Sequence, residues 1–127
     1  MPEANLTQAE WSVMDCLWER EKMTGREAVE VLRERCGWSR STVLTLLGRL
    51  EAKGAVKGES EGGAKVYRPL VGREDAAVSE TRNFLGRVYN GSVSLMLSAL
   101  THKKALSQAE IDELYELLRG LEAESDA

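Results

Sequence analysis

The same helix-start signal occurs three times in this chain and points to a largely helical fold. At Thr7, Thr24 and Ser107, a hydroxyl residue is followed three positions later by a glutamate. In such a capping box the hydroxyl accepts a hydrogen bond from the third helical amide, and the glutamate accepts one from the amide of the cap residue. We therefore predict that a helix begins directly after each of these three residues.

The first two predicted helices are short and follow each other closely. Apolar spacing predicts one helix from Gln8 to Lys22 and another from Gly25 to Cys36, where Gly37 breaks the pattern. The residues expected to face a core are Trp11, Met14, Leu17, Trp18, Ala28, Val31 or Leu32, and Cys36. Both cysteines, Cys16 and Cys36, are predicted to be buried thiols, because they lack metal-ligand spacing and free cysteine behaves as a small hydrophobic residue.

The third helix, predicted over residues 39–53, has two contrasting faces. Ser39 is a suitable N-cap, and Gly54 suits the left-handed residue that ends a helix. One face carries apolar residues at i, i+3, i+4 and i+7 and should lie on a core: Val43, Leu46, Leu47 and Leu50. The other face collects hydroxyl and guanidinium groups with no carboxylate before Glu51: Arg40, Ser41, Thr42, Thr45 and Arg49.

Two short β-like segments follow the third helix, over Ala55–Ser60 and Lys65–Leu70, with Gly62 and Gly63 between them. Paired glycines between two such segments predict a hairpin. Three helices followed by a hairpin make a winged helix-turn-helix, in which the hairpin (residues 55–70) is the wing. A hairpin that merely connects two elements is the alternative interpretation.

The C-terminal part of the chain predicts three further helices. One begins near Arg73 and is interrupted at Asn90-Gly91, a second covers Val93–Leu100, and the third follows the capping box at Ser107. The fold class predicted for the whole chain is therefore mainly α with a small β-hairpin wing.

These last three helices carry more apolar surface than so short a segment can bury among its own helices. We predict a winged-helix domain over residues 1–71 and a helical dimerisation domain over residues 72–127, because homodimers commonly bury such surfaces. The predicted dimer contacts are Phe84, Leu85, Val88, Tyr89, Val93, Met96, Leu97, Leu100, Ile111, Leu114, Leu118 and Leu121. The alternative is that this segment packs back on the N-terminal half.

The composition describes a globular chain without signs of catalysis. Of 127 residues, 43% are apolar and 30% charged, and no apolar run approaches the roughly 18 residues of a membrane span. Without a recognisable signal segment, we expect a cytoplasmic protein that does not bind a membrane directly. The single histidine, His102, has no catalytic or metal-binding companions in the sequence, so we expect no enzyme, no cofactor and no metal.

The net charge of −4 argues against a nucleic-acid partner until its distribution is considered. From Ser39 to Val71, six basic residues stand against three acidic ones, Glu51, Glu59 and Glu61, and the acidic excess lies further toward the C-terminus. Electric fields fade over about 8 to 10 Å at physiological salt, so a local basic patch matters more than the total.

This basic patch coincides with the third helix and the wing. A helix that enters the major groove of DNA needs short polar side chains and guanidinium groups near its N-terminus, which the third helix provides. The wing adds cations for the DNA backbone. The residues predicted to contact DNA are Ser39, Arg40, Ser41, Thr42, Thr45, Arg49, Lys53, Lys65, Tyr67 and Arg68.

These features together predict a homodimer that binds double-stranded DNA, with the third helix in the major groove and the wing on the backbone. Two alternatives remain open at this point. One is a winged helix that binds another protein through the same face. The other is a DNA-binding regulator that a small ligand releases from DNA.

Four motifs, spread over nearly the whole chain, resemble those of the BlaI/MecI/CopY family of penicillinase-type repressors. They are LTQAEWSVMDCLWE, WSRSTVLTLLGRLEAKGAV, KVYRPLV and LSQAEIDELYELL. The resemblance implies a winged-helix dimer on operator palindromes, with the third helix in the major groove and the C-terminal helices at the dimer interface. Thr42, Thr45 and Arg49 coincide with the family pattern. Ser41 and Leu44 stand where familiar members have basic residues, which implies a different operator or weaker binding.

The resemblance says less about how DNA is released. Copper-sensing relatives carry a cysteine cluster in a C-terminal tail, whereas this sequence ends EAESDA, so we do not expect copper sensing. Antibiotic-sensing relatives are cut by a membrane sensor protease at an Asn-Phe bond, and Ala99-Leu100 occupies the corresponding place. A protease partner is thus implied by the resemblance, although its usual dipeptide is absent.

Overall fold

The computed structural model describes residues 5–103 and 105–125. The elements in chain order are α1 (Gln8–Arg20), β1 (Met23–Thr24), α2 (Gly25–Cys36), α3 (Arg40–Lys53), β2 (Val56–Glu61), β3 (Ala64–Pro69), α4 (Arg73–Tyr89), α5 (Val93–His102) and α6 (Gln108–Ser125). The predicted fold class, mainly helical with a small β-hairpin wing, is confirmed.

The predicted capping boxes begin three of the helices. At α1, the amide of Thr7 donates to Glu10 Oε1 at 2.8 Å, and the amide of Glu10 donates to Thr7 Oγ1 at 3.1 Å. Thr24 and Ser107 make the same pair of bonds with the glutamates three residues later. These bonds satisfy amides that a helix start otherwise leaves without a partner, which is why the three starts could be predicted from sequence.

A three-stranded antiparallel sheet follows the order β1-β3-β2. Gly62 and Gly63 form the two-residue turn between β2 and β3, with φ of 59° and 83°. Positive φ at both positions is the geometry that paired glycines favour in a hairpin. Strand β1, whose two residues pair with β3, was not predicted. Helix α1 ends at Arg20 rather than at Lys22, because Glu21 has a φ of 70° and leaves the helical conformation.

Helices α1, α2 and α3 and the sheet enclose the hydrophobic core. Its most deeply buried large side chains are Met14, Leu17, Met23, Leu32, Leu47 and Leu50. Cys16 is buried, as predicted, but the prediction that Cys36 is buried was wrong. The buried stripe of α2 consists of Ala28, Val29 and Leu32 and stops one turn before the end of the helix, so Cys36 lies in solvent.

The chain divides into two compact units within α4. The first unit ends at Asn83 and the second begins at Phe84, which is later in the chain than the boundary expected between Val71 and Gly72. The start of α4 belongs to the first unit because Ala76 is buried in its core. In addition, Trp18 Nε1 donates to the carbonyl of Val71 at 2.9 Å.

The second unit contains the end of α4 together with α5 and α6. Phe84 and Tyr89 pack edge to face, with ring centroids 5.8 Å apart. None of the residues described between 84 and 125 is fully buried. Within residues 5–103 and 105–125, no helix is both long enough and apolar enough to cross a bilayer.

Candidate nucleic-acid interface

Helix α3 presents one face to the core and the opposite face to solvent. Val43, Leu47 and Leu50 are completely buried, and Leu46 is nearly so. The hydroxyl and guanidinium residues of the other face are all exposed: Ser39, Arg40, Ser41, Thr42, Thr45 and Arg49. The structure thus presents to solvent the whole set of α3 residues predicted to contact DNA, apart from Lys53.

The N-terminus of α3 carries a cluster of hydroxyl groups. Ser39 caps the helix by accepting from the amide of Thr42 at 3.3 Å, and its Oγ also lies 3.0 Å from Thr42 Oγ1 and 3.3 Å from Ser41 Oγ. The first turn contains no acidic residue. A helix N-terminus with these properties attracts anions, because its amides and dipole favour negative charge.

The two arginines of this face, Arg40 and Arg49, are not neutralised by neighbouring residues. In the described part of the chain, neither guanidinium forms an ion pair or a hydrogen bond to another side chain. Such groups can bind phosphate or a base edge without first breaking an internal contact.

Lys53 was predicted to contact DNA, but its ammonium group already has partners within the protein. It pairs with the carboxylate of Glu10 and donates to the carbonyl of Asn5 at 2.6 Å. Burial alone raises the pKa of Glu10, but hydrogen bonds from Lys53 and Thr7 outweigh it, so the pKa of Glu10 is lowered overall. The sequence marked Glu10 only as part of a capping box and did not reveal this partner.

The wing residues predicted to contact DNA also have partners within the protein. Lys65 Nζ donates to Glu51 Oε1 at 2.9 Å and lies 5.2 Å from the centroid of the Tyr67 ring. Tyr67 itself is only 7% exposed and belongs to the core, so its ring positions the wing instead of reaching outward. Arg68 Nη2 donates to Glu61 Oε2 at 2.8 Å.

A groove of about 420 Å³ separates the N-terminus of α2 from α3 and the wing. Arg26 and Leu44 line it, and both are exposed. Arg26 was not among the predicted contacts, although the capping box at Thr24 marks the helix start on which it lies. Its position makes it a further candidate for a phosphate contact.

The residues predicted to form a dimer interface are wholly or partly accessible in the second unit. The exposed ones are Phe84, Val88, Val93, Leu118 and Leu121, and the half-buried ones are Leu85, Tyr89, Met96, Leu97, Leu100, Ile111 and Leu114. Three further large residues of this unit are exposed and were not among the predicted dimer contacts: Leu95, Tyr115 and Leu117.

The comparisons with known proteins point to one family. The family model described as penicillinase repressor matches residues 6–120. The penicillinase repressor of Bacillus licheniformis is 34% identical over 113 residues, which is 89% of this chain and 88% of that protein. The methicillin resistance regulatory protein MecI of Staphylococcus aureus strain N315 is 30% identical over 113 residues, covering 89% of this chain and 92% of that protein.

A solved structure matches just over half of the chain. The solution structure of monomeric Bacillus licheniformis BlaI in complex with the blaP half-operator has 32% sequence identity and a TM-score of 0.53, over 57% of this chain and 89% of that chain. The protein therefore belongs to the penicillinase repressor family.

Proposed function

We propose that this protein represses transcription as a homodimer bound to a palindromic operator, with α3 in the major groove. The observation that carries the proposal is the exposed face of α3, whose two arginines and several hydroxyls have no carboxylate partner among the described residues. The related Bacillus licheniformis repressor, whose structure contains a half-operator, supports DNA as the partner.

The side chains of Arg40 and Arg49 leave α3 on opposite sides of the helix axis. They are nine positions apart, which is about two and a half helical turns. A helix in a major groove about 12 Å wide can therefore direct one arginine to a base edge and the other to the backbone. The short side chains of Thr42 and Thr45 lie between the arginines and would let the helix approach the base edges closely. We therefore assign Arg49 to a guanine and Arg40 to a phosphate near the helix start.

The second unit supports the dimer in this proposal. Its accessible leucines, among them Leu118 and Leu121, need a partner surface if they are to leave water. A second copy of the chain would bury them and would give the two-fold symmetry that a palindrome requires.

Release by proteolysis at Ala99-Leu100 would act on α5. Ala99 is exposed and Leu100 half-buried, and both lie inside the helix. Proteases bind extended chains, so a membrane sensor protease could cut this bond only after α5 unwinds locally. We keep cleavage at this bond as the proposed route of release.

The proposal is tested with operator fragments recovered from a random duplex pool by the wild-type protein. Arg49→Ala should weaken operator binding by about 1 to 3 kcal/mol and relax base preference at one position per half-site. Arg20→Ala, which removes an exposed arginine at the end of α1, is the matched control and should change little. Fluorescence anisotropy on matched and mismatched duplexes measures both effects.

Salt dependence separates this function from protein binding by the same face. Neutralising several phosphates releases counterions, so affinity for duplex DNA should fall steeply between about 50 and 200 mM salt. Binding that stays flat over that range, or no palindrome recovered from the pool, would contradict the repressor and favour a protein-interaction module.

A further inference from the structure

The cations on and beside the wing differ from those of α3 in having carboxylate partners. Lys65 is bound by Glu51 at 2.9 Å. Glu61 holds two cations at once, with Arg68 Nη2 at 2.8 Å from one of its oxygens and Lys22 Nζ at 2.9 Å from the other.

A second wing glutamate, Glu59, also lies close to wing cations. Glu59 Oε1 lies 3.8 Å from Arg68 Nε and 4.0 Å from Lys57 Nζ. Each basic side chain of the hairpin thus has a carboxylate within 4.0 Å, whereas the described residues place none that close to Arg40 or Arg49.

We propose that Glu51 of α3 together with Glu59 and Glu61 of the wing neutralise the wing cations and thereby limit how strongly this protein binds DNA of any sequence. The inference rests on the proposed DNA-binding function and assigns to these three carboxylates the task of setting the sequence-independent part of the affinity. In this view α3 supplies the uncompensated charge of the interface, and the wing supplies little until its ion pairs open.

Gly58 on β2 provides the space for one of these ion pairs. A Cβ added at Gly58 would overlap the end of the Lys65 side chain and lie 2.9 Å from Glu51 Oε2. Lys65 therefore crosses the strand directly over Gly58 on its way to Glu51. The hydrogen bond that Lys65 donates to Glu51 raises the pKa of Lys65. The bonds that Glu61 accepts from Lys22 and Arg68 lower the pKa of Glu61. Both directions are those expected when an ion pair stabilises the charged forms.

The ion pairs of the wing cations are weak enough to open when DNA binds, but they can still reduce the affinity. Exposed ion pairs contribute little to stability, so a DNA phosphate can draw a wing cation away from its carboxylate. The carboxylate, however, remains within a few ångströms of the phosphate, well inside the roughly 8 Å over which charges interact at physiological salt. Repulsion between the two anions then offsets part of the attraction gained by the cation.

The first test removes the two glutamates of the hairpin in the full-length protein. The probe is a duplex of arbitrary sequence about 30 base pairs long, or roughly three helical turns, because binding to it reports the phosphate contribution alone. Glu59→Gln with Glu61→Gln should raise the affinity for this duplex about 3- to 10-fold at 50 mM salt. The dependence of log affinity on log salt should steepen by about 1 to 2, as expected for one or two additional phosphate contacts.

A control with the same change in net charge separates local from overall electrostatics. Glu122→Gln with Glu124→Gln removes two exposed carboxylates near the end of α6. If this control raises the affinity and the salt slope as much as the wing variant does, the effect is one of total charge and the inference is wrong. Thermal unfolding confirms that both variants are folded.

A second variant opens an ion pair without changing the net charge. Gly58→Ala should push the flexible end of Lys65 away from Glu51 and strengthen binding to the same duplex by about 2- to 5-fold, since one cation is released toward phosphate. An affinity equal to that of wild type in this variant would show that the Lys65–Glu51 pair does not restrain DNA binding.

The wild-type protein distinguishes failure of this inference from failure of the proposed function. If wild type binds no duplex in dilute buffer, the proposed function fails and the inference fails with it. If wild type binds with the expected salt dependence but the wing variants behave identically to it, only the inference about the wing is overturned.

Discussion

The two units of this protein bury their apolar residues to very different extents. In the first unit, Met14, Leu47 and Leu50 are each 0% exposed. In the second unit, Leu117 is 65% exposed and Leu121 58%, and none of its described residues is fully buried. Both units nevertheless consist of helices with regular apolar stripes, so the stripes alone do not explain the difference.

The difference lies in whether the stripes find partners within the unit. Three helices and a sheet surround the core of the first unit and cover it from several directions. The second unit has only α5, α6 and the end of α4, and its larger apolar residues stay accessible to water. The first unit should therefore be stable by itself, whereas the second should gain its stability from association.

The largest expected effect concerns association through the second unit. Leu114→Asp with Leu118→Asp should convert the protein to a monomer at micromolar concentration. Each lost leucine contributes about 2 kcal/mol if it is buried on association. The dimer loses four of them, two from each protomer, so its dissociation constant should rise about a millionfold. Sedimentation equilibrium measures the change directly.

Ala109→Asp with Ala123→Asp is the matched control for this experiment. Both alanines are exposed on α6 and lie on the side of the helix away from the stripe that contains Leu114 and Leu118. This control should remain dimeric. If the leucine variant remains dimeric, this stripe of the second unit does not form the dimer interface.

The next largest effect concerns the free energy of unfolding of the first unit, whose core is fully buried. Leu47→Ala should lower the free energy of unfolding by about 2 to 5 kcal/mol, because it leaves a cavity among fully buried side chains. The measurement is urea unfolding followed by tryptophan fluorescence. All three tryptophans, Trp11, Trp18 and Trp38, lie in the first unit, so the signal reports on that unit alone.

The same truncation in the second unit sharpens the comparison. Leu117→Ala removes a side chain that is largely exposed, so the tryptophan-detected transition should shift by less than about 0.5 kcal/mol. Equal losses in the two variants would mean that the units unfold together and that the first unit is not independent.

Much of the fold could be predicted because the decisive signals are local. The capping box at Thr24 and the turn at Gly62-Gly63 depend on residues at most three positions apart in the sequence. Strand β1 could not be predicted in this way. Its residues Met23 and Thr24 are too few to show an alternating pattern, and their pairing with β3 depends on the completed fold.

The candidate interface was only partly predictable for the same reason. The polar face of α3 follows from helical spacing, so its residues could be named from sequence. Whether a basic residue is available for DNA depends on which carboxylates fold beside it. Lys53 meets Glu10, which lies 43 positions away in the sequence, and Lys65 meets Glu51 across 14 positions. Neither pairing has a sequence signal, and both lysines were therefore predicted to contact DNA.

After dimer association and the Leu47 core, the third and smallest effect concerns an ion pair of the first unit. Lys53 of α3 and Glu10 of α1 form this pair. Lys53→Met should lower the free energy of unfolding by about 2 kcal/mol, because it leaves the buried Glu10 carboxylate without its cation. We place this cost below that of a fully buried pair, since Lys53 is one-third exposed and solvent screens it. Lys57→Met removes an exposed cation of the wing and should change the value by less than about 0.5 kcal/mol.

The pH dependence of the Lys53→Met effect identifies Glu10 as its cause. In wild type the pKa of Glu10 is lowered by folding, so its contribution to stability is complete above about pH 5 and is lost as the pH falls through the folded pKa. In the variant, the lowering by Lys53 is lost while the burial that raises the pKa remains. The pKa of Glu10 is therefore higher than in wild type, and protonation relieves part of the penalty as the pH falls. The difference in free energy of unfolding between the two proteins should therefore be greatest near pH 7 and should shrink toward about pH 4. A difference that stays constant over this range would mean that Lys53 stabilises the first unit through packing of its aliphatic chain and not through the charge of Glu10.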